Sequence, residues 1–226
     1  MEIWDWLPVF VTAVACGISF FAMRKEMDRP AEEGPEKLKN LTGSAKPVLI
    51  YGIVMWALTV GVSIWLVLFY IDNTALFTMK RVCLLSVMWP VALTDLKSYR
   101  IPNIFALLGL IYWFIIFGVE FFIDPDQIWS TVLAELVACG VLLLAAFLCK
   151  LMIKGSIGLG DIKLLAIMGL MLGTDGIWGA IFMTLVISFF VSVFLLITKK
   201  KTRKDTIPFG PALVLGTYLS ICLTGM

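Results

Sequence analysis

The chain has 226 residues, 61% of them hydrophobic and only 15% charged, with a mean hydropathy of +0.99. Soluble domains run nearer half apolar and a quarter charged, so this composition excludes an ordinary water-soluble globule. A net charge of +2 does not point to a nucleic acid, and the absence of histidine excludes Ser-His and Cys-His pairs and H-E-x-x-H zinc sites.

Apolar runs of about 20 residues read as membrane-spanning helices. Ile3 to Met23 is the first, and Glu2 and Asp5 replace the basic start of a signal peptide, so it reads as a retained helix. Residues 24–47 follow, with Pro30, Gly34, Pro35, Gly43 and Pro47 among charges of both signs. They read as a flexible cytoplasmic loop inside a single integral membrane domain spanning 1–226. Further spans are expected at Val48 to Ile71, Phe77 to Thr94, Ile104 to Ile123 and Ile128 to Ile153.

The next run, Ile162 to Gly173, would be about 18 Å long as a helix, too short to cross a ~30 Å core unaided. A turn at Thr174 to Gly176, a long run from Ile177 to Ile197 and a last segment from Ile207 to Leu223 complete the series. The expected architecture is therefore an all-α, polytopic membrane bundle of about eight segments.

Basic residues orient it. Of the 18 Lys and Arg residues, 16 fall in alternate connections: 24–46, Lys97 and Arg100, Lys150 to Lys163, and Lys199 to Lys204. The positive-inside rule makes these cytoplasmic and leaves both termini outside. Lys80 and Arg81 are exceptions near the outer end of the third span, where snorkelling to the interface is expected. The protein is thus read as a multi-pass plasma-membrane protein in contact with lipid.

The five cysteines (Cys16, Cys83, Cys139, Cys149 and Cys222) form no C-x-x-C pair and read as small apolar residues. No metal site and no cofactor are expected. Three carboxylates matter more, because an acid at the centre of a membrane helix costs roughly 2.5–3.5 kcal/mol on the insertion scale. Glu135 reads first as a partnered structural acid. Asp95, in "ALTDLKSYRIPN", closes the third span, and Asp161, in "GSIGLGDIKLL", opens the sixth. The orientation, argued from Lys and Arg alone, puts both at the cytoplasmic face.

Two such acids suit peptide hydrolysis by the aspartic route. One must be ionised to activate water and the other protonated to polarise the carbonyl, and close like charges arrange this themselves. Each has a plainer reading: Asp161 as a helix N-cap behind the Gly158 and Gly160 turn, Asp95 as an interfacial charge beside Lys97. Lys163 could bias Asp161 or simply mark the inner face.

"GLGD" with "IKLL" resembles the G-x-G-D signature of intramembrane aspartyl proteases in its type IV prepilin peptidase form. The "IPN" that places Pro102 and Asn103 after Asp95, and "IPFGPAL" with Pro208, Phe209, Gly210 and Pro211, resemble two further elements of that family in the same order. The resemblance implies Asp95 and Asp161 as the catalytic pair, with Gly158, Gly160, Lys163 and the proline segments shaping the site. It implies cleavage of basic leaders from type IV pilin-like precursors, destined for pili or protein secretion, at the cytoplasmic face.

The N-terminal part departs from the pattern. "CGISFFAMRKEMDRP" is only faintly similar to the family's entry, and the loop after it lacks the two zinc-binding C-x-x-C pairs of many members. Family members often also methylate the new N-terminus with S-adenosylmethionine through this region, so methyltransferase activity is not expected here. Two rival readings stand beside this one. A presenilin or signal-peptide-peptidase relative would share G-x-G-D and Pro211-Ala212-Leu213, but has tyrosine where Thr94 stands. A non-catalytic transporter or scaffold would hold such acids nearer the bilayer midplane.

Overall fold

The computed structural model describes residues 3–27, 45–98, 100–152, 158–199 and 208–225. Among the described residues a single 3-10 turn at Ile3–Trp6 is followed by seven helices: α1 (Leu7–Met27), α2 (Ala45–Phe69), α3 (Ala75–Ser98), α4 (Asn103–Ile123), α5 (Ile128–Met152), α6 (Leu159–Ile197) and α7 (Gly210–Thr224). Six of these are long and apolar enough to cross a membrane, and α7 is a shorter apolar helix. The all-α bundle expected from the sequence is therefore what the chain forms. Most of the polar connection expected at 24–47 lies outside the described residues, as do Lys200 to Lys204 of the basic tract. Its ends are helical, Arg24 to Met27 closing α1 and Ala45 to Pro47 opening α2.

α3 is the centre of the bundle, buried almost continuously from Thr78 to Asp95, with α1, α2, α4, α6 and α7 packed around it. The outer helices carry their large apolar side chains outward: Phe10, Ile50, Phe114, Phe147 and Phe190 are all exposed. In water such a surface would drive association, whereas lipid tails solvate it. Polar side chains instead turn inward and link helices. Thr12 donates to Ser63 at 3.1 Å, and the hydroxyls of Thr59 and Tyr218 meet at 2.6 Å. Between membrane helices such bonds replace the hydrophobic force that lipid removes.

The turn expected at Thr174 to Gly176 is not where the chain breaks. Those residues are helical, and the interruption is one residue earlier, at Gly173, with φ 63° and ψ −168°. That conformation is essentially restricted to glycine. Before it, α6 runs along α5, with Gly169 against Cys139 and Gly173 against Glu135. After it, the chain runs back along α7, with Gly179 at Ser220 and Thr184 at Gly216. α6 is thus two antiparallel arms. The glycines at 169 and 216 bring neighbouring backbones close, since a Cβ there would stand 2.7 Å from Cys139 Cα and 2.5 Å from Thr184 N respectively.

Lys80 and Arg81 do not snorkel. Both are buried, at 2% and 4% exposure. Lys80 Nζ donates to Glu120 at 2.6 Å and to Glu135, and Trp113 Nε1 donates to the second Glu135 oxygen at 2.7 Å. A charged side chain in this position must be paired, and two acids within reach decide the matter over a reach to the interface. Glu135 is the partnered structural acid expected.

Candidate active site

Asp95 sits in the last turn of α3 and is 6% exposed. The helix continues past it to Ser98, so it is held by helical backbone instead of hanging at a helix end. Its Oδ2 accepts the backbone N–H of Gly210 at 2.9 Å. A Cβ on Gly210 would lie 2.7 Å from that oxygen and 3.0 Å from Asp95 Cβ, so the approach requires glycine. Gly210 opens α7, Phe209 precedes it in αR geometry, and Pro211 stands in the first turn, where a missing N–H costs no helix bond. The segment Pro208 to Pro211 is thereby laid against Asp95, with Gly210 buried and its neighbours half-buried.

Asp161 is the third residue of α6 and is half-buried. Its Oδ2 accepts the N–H of Gly158 at 3.3 Å, and Gly158 is extended at φ −69° and ψ 148°. The carboxylate therefore caps its own helix, where the partial positive charge of the N-terminus favours an anion. Gly160 fits against the Ile101 backbone and side chain, for a Cβ there would stand 2.8 Å from Ile101 Cβ. Pro102 is the N-cap of α4, and Lys163 Nζ donates to Asn103 Oδ1 at 2.8 Å. Lys163 is exposed. Its bond to Asn103 ties α6 to α4.

Three stretches far apart in sequence thus meet at one end of the bundle. "IPN" abuts "GLGD", and "PFGP" abuts Asp95. Asp95 and Asp161 come to this same end, each held through Oδ2 by one amide. Such a pair can hold one proton between two carboxylates, the electronic arrangement that acid–base work on a carbonyl requires. Among the described residues no group of three or more cysteine, aspartate and glutamate side chains gathers as metal ligands would.

A cavity of about 1150 Å³ opens beside the pair, between α1, the end of α3 and the start of α4. Lys25, Thr94, Lys97, Arg100, Asn103 and Lys163 are among its lining residues, and neither aspartate is. Most of the remaining lining is apolar, with Glu26 the acidic member. Two features of this region have no sequence signal of their own. Lys97 turns inward to donate to the Met27 carbonyl, joining α3 to the end of α1. Ile101 matters as the wall against which Gly160 rests, a role only the packing reveals.

With this geometry in view, similarity to known proteins is informative. The model of the type IV leader peptidase family matches residues 82–197, just over half of the chain. The match takes in Asp95 and Asp161 and stops short of Pro208. The prepilin leader peptidase/N-methyltransferase of Bacillus subtilis (strain 168) is 30% identical over 139 residues. That alignment covers 62% of this chain, and the chain spans about half (53%) of the relative's length. No solved structure matches the chain significantly. By the extent of the family match, this chain belongs to the type IV leader peptidase family.

Proposed function

We propose that the protein is an aspartic endopeptidase that removes the basic leader of type IV prepilin-like precursors, with Asp95 and Asp161 as its catalytic pair. One observation carries the reading: Asp95 and Asp161 come to the same end of the bundle from helices of opposite direction, each pinned by a glycine amide. Family membership and the name of the Bacillus subtilis relative support the substrate class.

In this mechanism the ionised aspartate takes a proton from water as the water oxygen attacks the scissile carbonyl. The other aspartate donates its proton to the carbonyl oxygen. Collapse of the tetrahedral adduct breaks the C–N bond as the proton gained by the first aspartate passes to the leaving amine and a hydroxyl proton of the adduct returns to the second aspartate. The pair titrates as a unit, so neither aspartate alone is named acid or base. Gly160 and Gly158 keep the approach to Asp161 narrow in side-chain bulk, which suits an extended substrate backbone.

Orientation follows the distribution of Lys and Arg: the aspartate end faces the cytoplasm, and both termini lie outside. Counting the arms of α6 separately and including α7 makes eight crossings. The first arm, Leu159 to Leu172, is roughly 21 Å long and α7 about 22 Å, both shorter than the ~30 Å core. Short helices at that end would leave the aspartates below the membrane surface yet within reach of water. Methyl transfer, named for the relative, is not proposed, since residues 24–47 lack paired cysteines.

The test is leader cleavage of a co-expressed prepilin-like substrate by the parent chain, Asp95→Asn and Asp161→Asn. Loss in both variants at normal membrane levels supports the pair. Cleavage that survives in either variant overturns the mechanism. Absence of cleavage by the parent chain across several pilin-like substrates would favour a non-catalytic role.

A further inference from the structure

Lys80 and Arg81 are neighbours on α3 but serve different partners. Lys80 faces the acids of α4 and α5, whereas Arg81 turns to α6. Arg81 Nη1 donates to Met171 O at 3.5 Å, and Nη2 donates to Leu172 O at 3.4 Å. These are the last carbonyls before the break at Gly173, where helix ends lack internal donors and carry partial negative charge. Nη1 also reaches Phe77 O at 3.3 Å, and the guanidinium lies 3.2 Å over the Phe77 ring. The guanidinium is thus anchored on its own helix while its fork grips the end of another.

That other helix end belongs to the arm that starts with Asp161. α3 carries Arg81 at one end and Asp95 at the other, roughly 21 Å apart at 1.5 Å per residue. The first arm of α6 runs antiparallel, from Asp161, two residues before the Lys163 that bonds Asn103, to Leu172 beside Arg81, roughly 17 Å. A helix is stiff along its axis, so a shift at Leu172 reappears at Asp161. At the near end, the contacts of this arm go to Ile101, which precedes α4, and to Asn103, its first residue. α6 packs chiefly on α5 and α7 and meets α3 over a smaller area, so Arg81 is a direct tie between the two aspartate-bearing helices.

A second observation favours the same conclusion. Nε of Arg81 is buried with no partner among the described residues, so the site holds a charged group at a cost an apolar side chain would avoid. Setting register is the best-attested reason for keeping such a group. Gly173 closes the arm in a conformation that glycine alone adopts readily, with Glu135 Cγ 3.7 Å from where a Cβ would be. The stop is therefore sharp, and the carbonyls offered to Arg81 are fixed in place.

We propose that Arg81 is a positioning residue for the catalytic pair: by gripping Met171 and Leu172, it sets the axial register of Asp161 against Asp95. This rests on the proposed aspartic mechanism, so the experiment reads register and catalysis separately. Cleavage kinetics are measured in Arg81→Gln and Arg81→Lys. In parallel, Asp95→Cys/Asp161→Cys in a chain without its native cysteines is treated in membranes with thiol cross-linkers of graded length, with and without Arg81→Gln.

The expected result is a fall in kcat of about tenfold in Arg81→Gln with KM within twofold, and only partial recovery, to about threefold below the parent, in Arg81→Lys. The shortest cross-linker that joins the cysteine pair should give way to a longer one when Arg81 is replaced. Unchanged kcat, an effect confined to KM, or an unchanged cross-linking profile overturns the proposal. If Arg81→Gln does not accumulate, Arg81→Lys is read alone: lysine cannot span both carbonyls, so kcat falls about threefold, and parental kinetics overturn the proposal. Should Asp95→Asn and Asp161→Asn both cleave normally, the catalytic reading fails, while the cross-linking profile still decides whether Arg81 sets the register.

Discussion

The Asp95 carboxylate accepts the Gly210 amide at 2.9 Å, joining the central helix to the start of α7 across 115 residues of sequence. The contact is tight enough that the amide can be reached only because Gly210 has no side chain. Gly210→Ala would place a methyl 2.7 Å from Oδ2, and Asp95 or α7 must give way. Cleavage should fall at least tenfold, about 1.4 kcal/mol in the barrier, at near-normal membrane levels. A parental rate would show that this contact does not position Asp95.

Gly160 tests the other half of the site. Gly160→Ala brings Cβ within 2.8 Å of Ile101 Cβ and should displace the Asp161 turn. Ile101→Gly removes the opposing Cβ, so the double variant should recover activity relative to Gly160→Ala. Contacting residues commonly couple by about 0.5–3 kcal/mol in such cycles. Purely additive losses would mean that the clash is relieved elsewhere.

Removing Lys80 leaves Glu120 and Glu135 together without their cation. Lys80→Met should destabilise the protein by about 3–5 kcal/mol, the usual cost of breaking a buried pair from one side. Glu135→Gln should cost less, because Lys80 keeps Glu120 and the new amide oxygen can still accept from Trp113. Thermal unfolding in detergent measures the order, and a reversed order contradicts the pairing.

Lys163 bonds Asn103 at the surface, and exposed charged contacts are worth about 0–1 kcal/mol. Lys163→Met should therefore leave cleavage within about fivefold of the parent. A loss as deep as that of Asp161→Asn would assign Lys163 a direct part in the chemistry.

A pair that works by sharing one proton fails on both sides of its optimum. At low pH both aspartates are protonated and none can activate water; at high pH both are ionised and none can donate. The rate should follow a bell in kcat/KM, measured in detergent or proteoliposomes. A single-sided profile would argue against a two-carboxylate mechanism.

Much of this was legible in the residues alone. Apolar runs located the helices, because a membrane core leaves few ways to satisfy a backbone. The positions of Lys and Arg put Asp95 and Asp161 at one end. "GLGD", "IPN" and "PFGP" marked the segments that meet there. Sequence reading failed at Lys80 and Arg81, which flank a helix end and so look like snorkelling residues. Their partners, Glu120, Glu135, Met171 and Leu172, lie on three other helices, and no local pattern reports them.

The break in α6 divides the two kinds of information. The sequence called for a reversal near Thr174 to Gly176, since Asp161 and Lys199 fall on the same side and the chain between them must cross an even number of times. Which residue bends, and what grips the end it leaves, depended on α3 and α5 packing against that point. Length and hydropathy are properties of the chain and can be read along it. Register between helices is set by side chains meeting across space, and only the folded bundle brings those side chains together.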